Sequence, residues 1–131
     1  MACLPVTTIR HAQMVDITGQ IEALLPADFS GAALIFCQHT TAGLTINENA
    51  DPDVVHDMLG EFDQLSPWNN PAFKHGEGNS SAHVKATLAG SSVTVPVERG
   101  RMLLGTWQSI YLCEFDGPRS RRVIVTLLPG C

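Results

Sequence analysis

Three histidines occupy positions in this sequence from which metal or acid–base chemistry can be expected. His39 ends a predicted buried strand, His75 precedes a glycine-rich loop, and His83 lies in the first turn of a predicted helix. The N-terminal end of a helix disfavours a charged imidazolium, which keeps His83 neutral and able to bind a metal. Three neutral imidazoles around one ion leave a position open for water or substrate. We therefore predict that these histidines converge on a divalent metal, with zinc as the best candidate.

Ordinary structural roles could also account for each of these histidines. A strand-end imidazole such as His39 is often hydrogen-bonded in or beside the core, because histidine is intermediate in burial. His83 could pack beneath the loop, and His75 could be solvated. Their spacing matches no compact metal motif such as H-E-x-x-H. Convergence is therefore a hypothesis about the fold.

A carboxylate between a predicted strand and a predicted helix is the second candidate for chemistry. Glu48 stands in the run Asn47–Glu48–Asn49, just before the helix start at Asp51. From there it could act as a general base or hydrogen-bond a metal-bound histidine. We predict Glu48 and His83 as catalytic residues. Alternatively, Glu48 caps the following helix with its neighbours.

Anion binding is the third chemistry that the sequence suggests. Arg119 and Arg121 belong to the only basic cluster, and guanidinium groups suit phosphate or carboxylate. The helix start at Asn79 and Ser80, after the loop Gly76–Gly78, supplies backbone N–H groups of the kind that bind anions. A phosphorylated small molecule could bridge the two. Alternatively, the arginines flank an edge strand and discourage aggregation.

The composition limits the class of protein and the kinds of partner. With 131 residues, 44% of them hydrophobic, the chain fits one globular domain over residues 1–131. A formal charge of −5 argues against a surface for nucleic acid or anionic membranes. No apolar run approaches the roughly 20 residues of a membrane span. The first residues lack the pattern of a signal peptide, and the four cysteines are scattered, so we expect a cytoplasmic protein with reduced thiols.

Hydrophobic periodicity predicts mostly strands with two or three helices. One helix is capped by Asp51, and another runs from Asn79 or Ser80 to about Ala89, separated by a loop over Gln64–Gly78. We expect the last two strands to form an antiparallel pair. The order favours an α+β fold with a mostly antiparallel sheet and the helices packed on it. The predicted strands are Val6–His11, Met14–Thr18, Ala32–His39, Leu44–Asn47, Ser92–Val97, Trp107–Phe115 and Arg122–Leu128, and a short helix is predicted over Gln20–Leu25.

Four segments of the chain form a recognisable combination: His39–Gly43, Asn47–Pro52, Ser81–Lys85 and Gly100–Gln108. Together they resemble the YjbQ-like family, an uncharacterised family associated with a secondary thiamine-phosphate synthase activity. The resemblance implies a compact YjbQ-like α+β fold, a homotrimer, and a histidine cluster in a surface cleft that binds a metal. It places the polar site on His39, Glu48, His75 and His83, with Asp57 and Lys85 as weaker candidates, and Trp107 and Gln108 as a wall nearby.

The function predicted from these features is a metal-dependent enzyme that acts on a phosphorylated small molecule. The activity that the resemblance implies joins a hydroxymethylpyrimidine diphosphate to a thiazole phosphate and releases pyrophosphate. Lys85 would join Asn79, Ser80, Arg119 and Arg121 in binding the substrate's anionic groups, and a metal would stabilise the departing charge. The alternatives are a non-catalytic metal- or metabolite-binding trimer and a purely structural oligomer.

Overall fold

The computed structural model describes residues 1–131 and contains eight strands and three helices. The predicted α+β fold with mostly antiparallel strands is confirmed. None of the helices is long and apolar enough to cross a lipid bilayer. In chain order the elements are β1 (Ala2–Thr7), β2 (Gln13–Asp16), α1 (Thr18–Glu22), β3 (Gly31–Cys37), β4 (Ala42–Glu48), α2 (Pro52–Leu65), α3 (Ser80–Ala89), β5 (Ser92–Glu98), β6 (Arg101–Met102), β7 (Gln108–Glu114) and β8 (Ser120–Pro129).

The strands form two separate antiparallel sheets. The first has five strands in the order β1-β8-β3-β5-β6, and the second has three in the order β2-β7-β4. The predicted pairing of the last two strands is therefore wrong, since β7 and β8 lie in different sheets. Both edges of β7 are already paired, with β2 and β4. The turn over residues 115–119 consequently carries the chain from one sheet to the other instead of closing a hairpin.

The two faces of the three-stranded sheet pack against different layers. Side chains alternate along a strand, so Ile110 and Leu112 of β7 point one way and Tyr111 and Cys113 the other. The first pair is buried in the main core, against the inner face of the five-stranded sheet. The second pair packs against α2 and α3 in a smaller core. The molecule thus has three layers, with the three-stranded sheet in the middle.

The five-stranded sheet is covered on one side only. The near-continuous apolar sequence of β3 suggests a strand buried on both faces, and this expectation is wrong for its outer face. Phe36 keeps 42% of its surface exposed there, and Leu128 on β8 keeps 44%. Ile124 pairs directly with Phe36 and shares that face. The outer face is therefore a partly apolar surface without a covering element.

Helix α3 sits close to β4 because a glycine permits the approach. A β-carbon at Gly43 would lie 2.6 Å from the carbonyl oxygen of Gly90 and 3.0 Å from the Ala89 β-carbon. Gly90 itself ends the helix with φ = 95°, a conformation that favours glycine. The amide of Leu44 donates to the Gly90 carbonyl at 2.9 Å, which fixes the end of the helix to the strand. This contact sets the position of the side chains that α3 carries.

Helix α2 begins and packs as its sequence predicts. The side chain of Asp51 accepts a hydrogen bond from the Asp53 amide at 2.9 Å, and Pro52 takes the first helical position. Its apolar stripe contributes partly buried side chains to the smaller core. The chain then crosses to α3 through the predicted loop, which Ser81 anchors by donating its hydroxyl to the Ser66 carbonyl at 2.5 Å.

Candidate functional site

A polar cleft of about 310 Å³ opens where the β3–β4 connection, the start of α3 and the start of β8 meet. No hydrophobic residue lines it. Five of its residues were predicted as site residues from the sequence, and the fold brings them together from distant parts of the chain. Gln38, His39, Thr40, Thr41, Glu77, Asn79, His83, Arg119 and Arg121 line the cleft.

His39 enters the cleft as a neutral imidazole with a defined tautomer. Its Nε2 accepts a hydrogen bond from the backbone N–H of Arg122 at 2.9 Å. A nitrogen that accepts cannot carry the ring proton, so the proton is assigned to Nδ1. Partial burial, and next the positive charge of Arg121, lower the pKa of His39. Both effects keep this ring uncharged at neutral pH.

His75 and His83 lie next to each other, and His83 faces the cleft. Their ring centres are 5.6 Å apart, with the planes nearly perpendicular. Nε2 of His75 is 3.9 Å from Oε1 of Glu77, and both side chains are substantially solvated. The glycine-rich loop therefore brings one imidazole and one carboxylate to the rim of the cleft, beside His83.

The three histidines do not fit a metal ion as a set. No group of three or more His, Cys, Asp or Glu side chains in the structure is arranged to hold one. His75 and His83 have a separation compatible with a shared ion, because two imidazoles bound to one tetrahedral zinc place their centres roughly 5 Å apart. His39, however, already uses its Nε2 lone pair for the Arg122 amide.

A buried ion pair forms the base of the cleft. Glu114, at the end of β7, is fully buried, and its two oxygens accept hydrogen bonds from Nε and Nη2 of Arg121 on β8. Nη2 of Arg121 also donates to the hydroxyl of Thr41 at 2.9 Å, and the Thr8 hydroxyl donates to Glu114 at 2.8 Å. The pair joins the two sheets where the chain crosses between them.

The environment of Glu114 keeps it ionised despite its burial. Burial alone would raise its pKa. Hydrogen bonds from Arg121, from the Asp116 amide and from the Thr8 hydroxyl outweigh that effect, so the pKa of Glu114 lies below its ordinary value. Arg121 is thus paired with a carboxylate that is ionised at neutral pH, and it is held in one orientation.

A second ion pair, at the edge of the cleft, holds Arg119. Its Nη2 donates to the Asp116 carboxylate at 3.0 Å and its Nε to the Asp116 carbonyl at 2.8 Å. Nδ2 of Asn79 donates to the same carboxylate at 2.9 Å. Burial opposes ionisation of Asp116, but the Asn79 and Arg119 hydrogen bonds prevail and lower its pKa. Oδ1 of Asn79 is buried and has no hydrogen-bond partner.

Each of the two arginines keeps one nitrogen without a protein acceptor. In Arg121 the bonds to Glu114 and Thr41 use Nε and Nη2, and in Arg119 the bonds to Asp116 use the same two atoms. The Nη1 group of each side chain, with two N–H donors, has no partner in the protein. Two fixed guanidinium groups therefore offer unused donors in one polar cleft.

Several residues predicted for the site lie elsewhere. Glu48 ends β4, whereas Ala42 at its other end is beside the cleft, so about 20 Å of strand separates them. The predicted association of Glu48 with His83 is therefore wrong within this chain. Lys85 points the opposite way on α3, where its buried ammonium lies 2.9 Å from the Asp63 carboxylate. Ser80 begins α3 and is not among the residues lining the cleft.

The residues predicted as a wall of the site are also distant from the cleft. Trp107, 62% exposed, and Gln108 precede or begin β7 and lie beside Glu48 at the far end of the three-stranded sheet. Gln108 accepts the Gly105 amide at 2.8 Å, which makes it a turn-stabilising residue. Asp57 is an exposed residue of α2 that pairs with His56. The expectation that Trp107 and Gln108 border the cleft is wrong.

Sequence reasoning missed Glu114, the residue that holds Arg121. The available signal is a carboxylate at the end of a strongly apolar strand, seven positions before an arginine on the next strand. Charged residues are almost never fully buried unless paired. Without knowledge that β7 and β8 lie in facing sheets, the two look like ordinary strand-end charges.

The sequence is similar to known proteins along nearly the whole chain. A family model described as UPF0047 protein YjbQ-like matches residues 3–130. UPF0047 protein YugU of Bacillus subtilis is 53% identical over 127 residues, which cover 95% of this chain and 96% of YugU.

Two solved structures share both the fold and much of the sequence. An uncharacterized conserved protein of the YjbQ/UPF0047 family from Clostridium acetobutylicum superposes with a TM-score of 0.92 at 46% identity, covering 98% of this chain and 100% of that one. A conserved hypothetical protein from Thermus thermophilus gives a TM-score of 0.94 at 44% identity, with the same coverage. On this evidence the chain belongs to the UPF0047 family of YjbQ-like proteins, a family of uncharacterised function.

Proposed function

We propose that this protein is an enzyme that binds the anionic group of a phosphorylated small molecule in the polar cleft. One observation carries the proposal: Arg119 and Arg121 are each held by a carboxylate and each keep Nη1 free in a cleft without hydrophobic residues. Guanidinium groups match phosphate oxygens in shape and charge. His39 and His83 place imidazole nitrogens beside them in the same cleft.

The ion pairs that hold the arginines support catalysis as well as binding. A flexible arginine would have to be ordered when the ligand binds, at a cost in entropy. Arg121 is 4% exposed and fixed by four hydrogen bonds, so that cost is met during folding. Donors that are oriented in advance stabilise charge that develops during a reaction. A leaving phosphate or diphosphate is such a charge.

The specific reaction that we propose is the synthesis of thiamine phosphate. The ring nitrogen of a thiazole phosphate uses its lone pair to form a bond to the methylene carbon of a pyrimidine diphosphate. The carbon–oxygen bond breaks, and its electron pair leaves with pyrophosphate. Arg119 and Arg121 would stabilise the departing pyrophosphate, and a ring N–H of His83 would donate a hydrogen bond to it. No step of this scheme uses a metal, because the three predicted ligands do not fit one ion together.

Turnover measurements with purified protein test this proposal. We expect His83→Ala to lower the rate of thiamine phosphate formation by about 10²–10³-fold, the usual contribution of one hydrogen-bond donor to a developing negative charge. The control is His56→Ala, since His56 is an exposed histidine on α2 outside the cleft. Equal rates for the two variants would contradict the role of His83.

A non-catalytic binding module is the competing proposal, and one observation favours it. Neither His75 nor His83 has a carboxylate or carbonyl within hydrogen-bonding distance that would fix its tautomer, as catalytic histidines usually have. Titration calorimetry with pyrophosphate separates the proposals. Binding that depends on Arg119, with no turnover of either thiamine precursor, would favour the binding module. Control measurements would use Arg101→Ala, since Arg101 is an exposed arginine outside the cleft.

We further propose that the chain assembles as a homotrimer through the uncovered face of the five-stranded sheet. Phe36 and Leu128 are large apolar residues on that face, and exposed apolar patches commonly mark interfaces. Sedimentation velocity tests this: Phe36→Lys should shift the protein toward monomer. Leu65→Lys, a change at an exposed leucine of α2 in the helical layer, should leave the sedimentation coefficient unchanged.

A further inference from the structure

A second cleft continues from the first and has a different chemical character. It measures about 440 Å³ and shares His39, Thr40 and His83 with the first cleft. One wall is a face of α3 that includes His83, Ala86 and Thr87, at the spacing expected for neighbours on a helix. The two clefts therefore meet where the imidazoles of His39 and His83 lie.

The side chains in the two clefts differ in charge. The first contains Arg119, Arg121 and Glu77, whereas no lysine, arginine, aspartate or glutamate lines the second. The second instead has the methyl groups of Ala42 and Ala86. A charged group has no partner in such a surface, while an uncharged group loses little on leaving water.

We propose that the second cleft binds the uncharged organic part of the ligand whose phosphate occupies the first. This inference rests on the proposed function and specifies its substrate class: the phosphate or diphosphate ester of a compact uncharged group. The bond between the two parts would lie beside His39 and His83. The first cleft would supply affinity for any phosphate, and the second would select among phosphate esters.

Small residues set the size of the group that the second cleft admits. Ala42 is 2% exposed and Ala86 9% exposed, so both form its floor within the packed core. Close packing of α3 on β4 through Gly43 prevents that floor from moving away. Thr87 lies at the exposed rim, where its hydroxyl donates to the His83 carbonyl at 2.9 Å. A larger side chain at Thr87 should therefore narrow the cleft without altering the core.

Calorimetric titration tests the proposal with two probes, inorganic pyrophosphate for the first cleft alone and benzyl phosphate for both clefts, and with methyl phosphate as the reference for benzyl phosphate. The wild-type protein should bind benzyl phosphate more tightly than methyl phosphate. Thr87→Phe should weaken benzyl phosphate binding by at least about tenfold, which corresponds to losing about 1.4 kcal/mol. It should leave the pyrophosphate affinity unchanged. The matched control is Leu88→Phe, at an exposed neighbour outside both clefts.

The outcomes that overturn this inference differ from those that overturn the proposed function. If Thr87→Phe leaves benzyl phosphate binding unchanged, or weakens both probes equally, the second cleft is not a separate subsite. Ser91→Phe, at another residue that lines the second cleft, repeats the test should the first variant fail to fold. If instead the wild-type protein binds no pyrophosphate, or Arg119→Ala binds it as well as wild type, the proposed function itself fails.

Discussion

The two ends of the three-stranded sheet both carry polar residues, but they use them differently. At one end Glu114 closes β7 and holds Arg121, which still has an unused nitrogen facing the cleft. At the other end the side-chain oxygen of Gln108 accepts a hydrogen bond from the Gly105 backbone N–H. The side-chain nitrogen Nδ2 of Asn49 donates to the Ser109 hydroxyl at 2.6 Å. The arginine held at the first end keeps free donors, whereas Gln108 and Asn49 at the second end are hydrogen-bonded to neighbouring groups.

This difference separates candidate binding residues from structural ones better than residue type does. The run Asn47–Glu48–Asn49 is entirely polar, as the cleft is, and Gly105–Gln108 adds Thr106 and Gln108. Their hydrogen bonds stabilise turns and the start of a strand pair, and Tyr111 adds a bond from its hydroxyl to the Glu48 carbonyl at 2.9 Å. Polar groups become candidates for ligand binding when the fold fixes them and leaves some of their donors unpaired.

The largest expected effect is the loss of stability when Glu114 is removed. Glu114→Ala should lower the free energy of unfolding by about 3–5 kcal/mol, because Arg121 would then be a buried, unpaired charge. Glu48→Ala, at the opposite end, should change it by no more than about 0.5 kcal/mol, because its carboxylate makes no hydrogen bond. Urea denaturation measures both. Similar losses for the two variants would remove the distinction between the two ends.

The next-largest expected effect is the change in the free energy of unfolding as the solution becomes acidic. Glu114 has a lower pKa in the folded protein than its ordinary value of 4.5, so the unfolded chain takes up its proton first. Its contribution to stability is complete above pH 4.5 and is lost as the pH falls toward the folded pKa. Glu114→Gln should therefore show a shallower fall in unfolding free energy below pH 4.5 than wild type. An unchanged slope would mean that Glu114 is not held as an ion.

A smaller loss of stability is expected at the end of the three-stranded sheet where Asn49 is hydrogen-bonded to Ser109. Asn49→Ala removes one side-chain hydrogen bond and should lower the free energy of unfolding by about 1 kcal/mol, without weakening pyrophosphate binding. Asn69→Ala, at an exposed loop position, serves as the control. Reduced pyrophosphate affinity in Asn49→Ala would show that this end of the sheet also takes part in the site, and the two ends would not differ in function.

The smallest effect is expected from metal removal. A chelator should leave the melting temperature unchanged, because no closed set of three or four ligands exists to stabilise the fold. A large drop would contradict this. The zinc prediction itself is tested by metal analysis: any zinc bound in the cleft should depend on His75 and His83 but persist in His39→Ala. Equal loss of zinc in His39→Ala, His75→Ala and His83→Ala would instead support a site formed by all three histidines.

The sequence was sufficient for the fold class and for much of the cleft. Local signals such as Asp51 before Pro52 fix the start of α2, because capping involves only neighbouring residues. His39, His83 and the two arginines were recognised by their chemistry, and the fold brings them to one cleft. Their individual roles stay predictions.

Features that depend on pairing between distant strands cannot be predicted from the sequence pattern. A short turn such as Asp116–Arg119 suits a hairpin and a crossing between stacked sheets equally well, so β7 and β8 were paired wrongly. The burial of Glu114 follows from that crossing and was missed with it. The family resemblance places Glu48 and His83 in one polar site, whereas within this chain the length of β4 separates Glu48 from the cleft.

The Glu114–Arg121 pair makes the cleft dependent on the complete assembly of the molecule. One partner belongs to each sheet, so a chain in which only one sheet has formed cannot orient Arg121 toward a ligand. Phosphate compounds should therefore bind only the fully folded chain. By mass action they would then protect it against partial opening and proteolysis, even where they touch none of the segments that open.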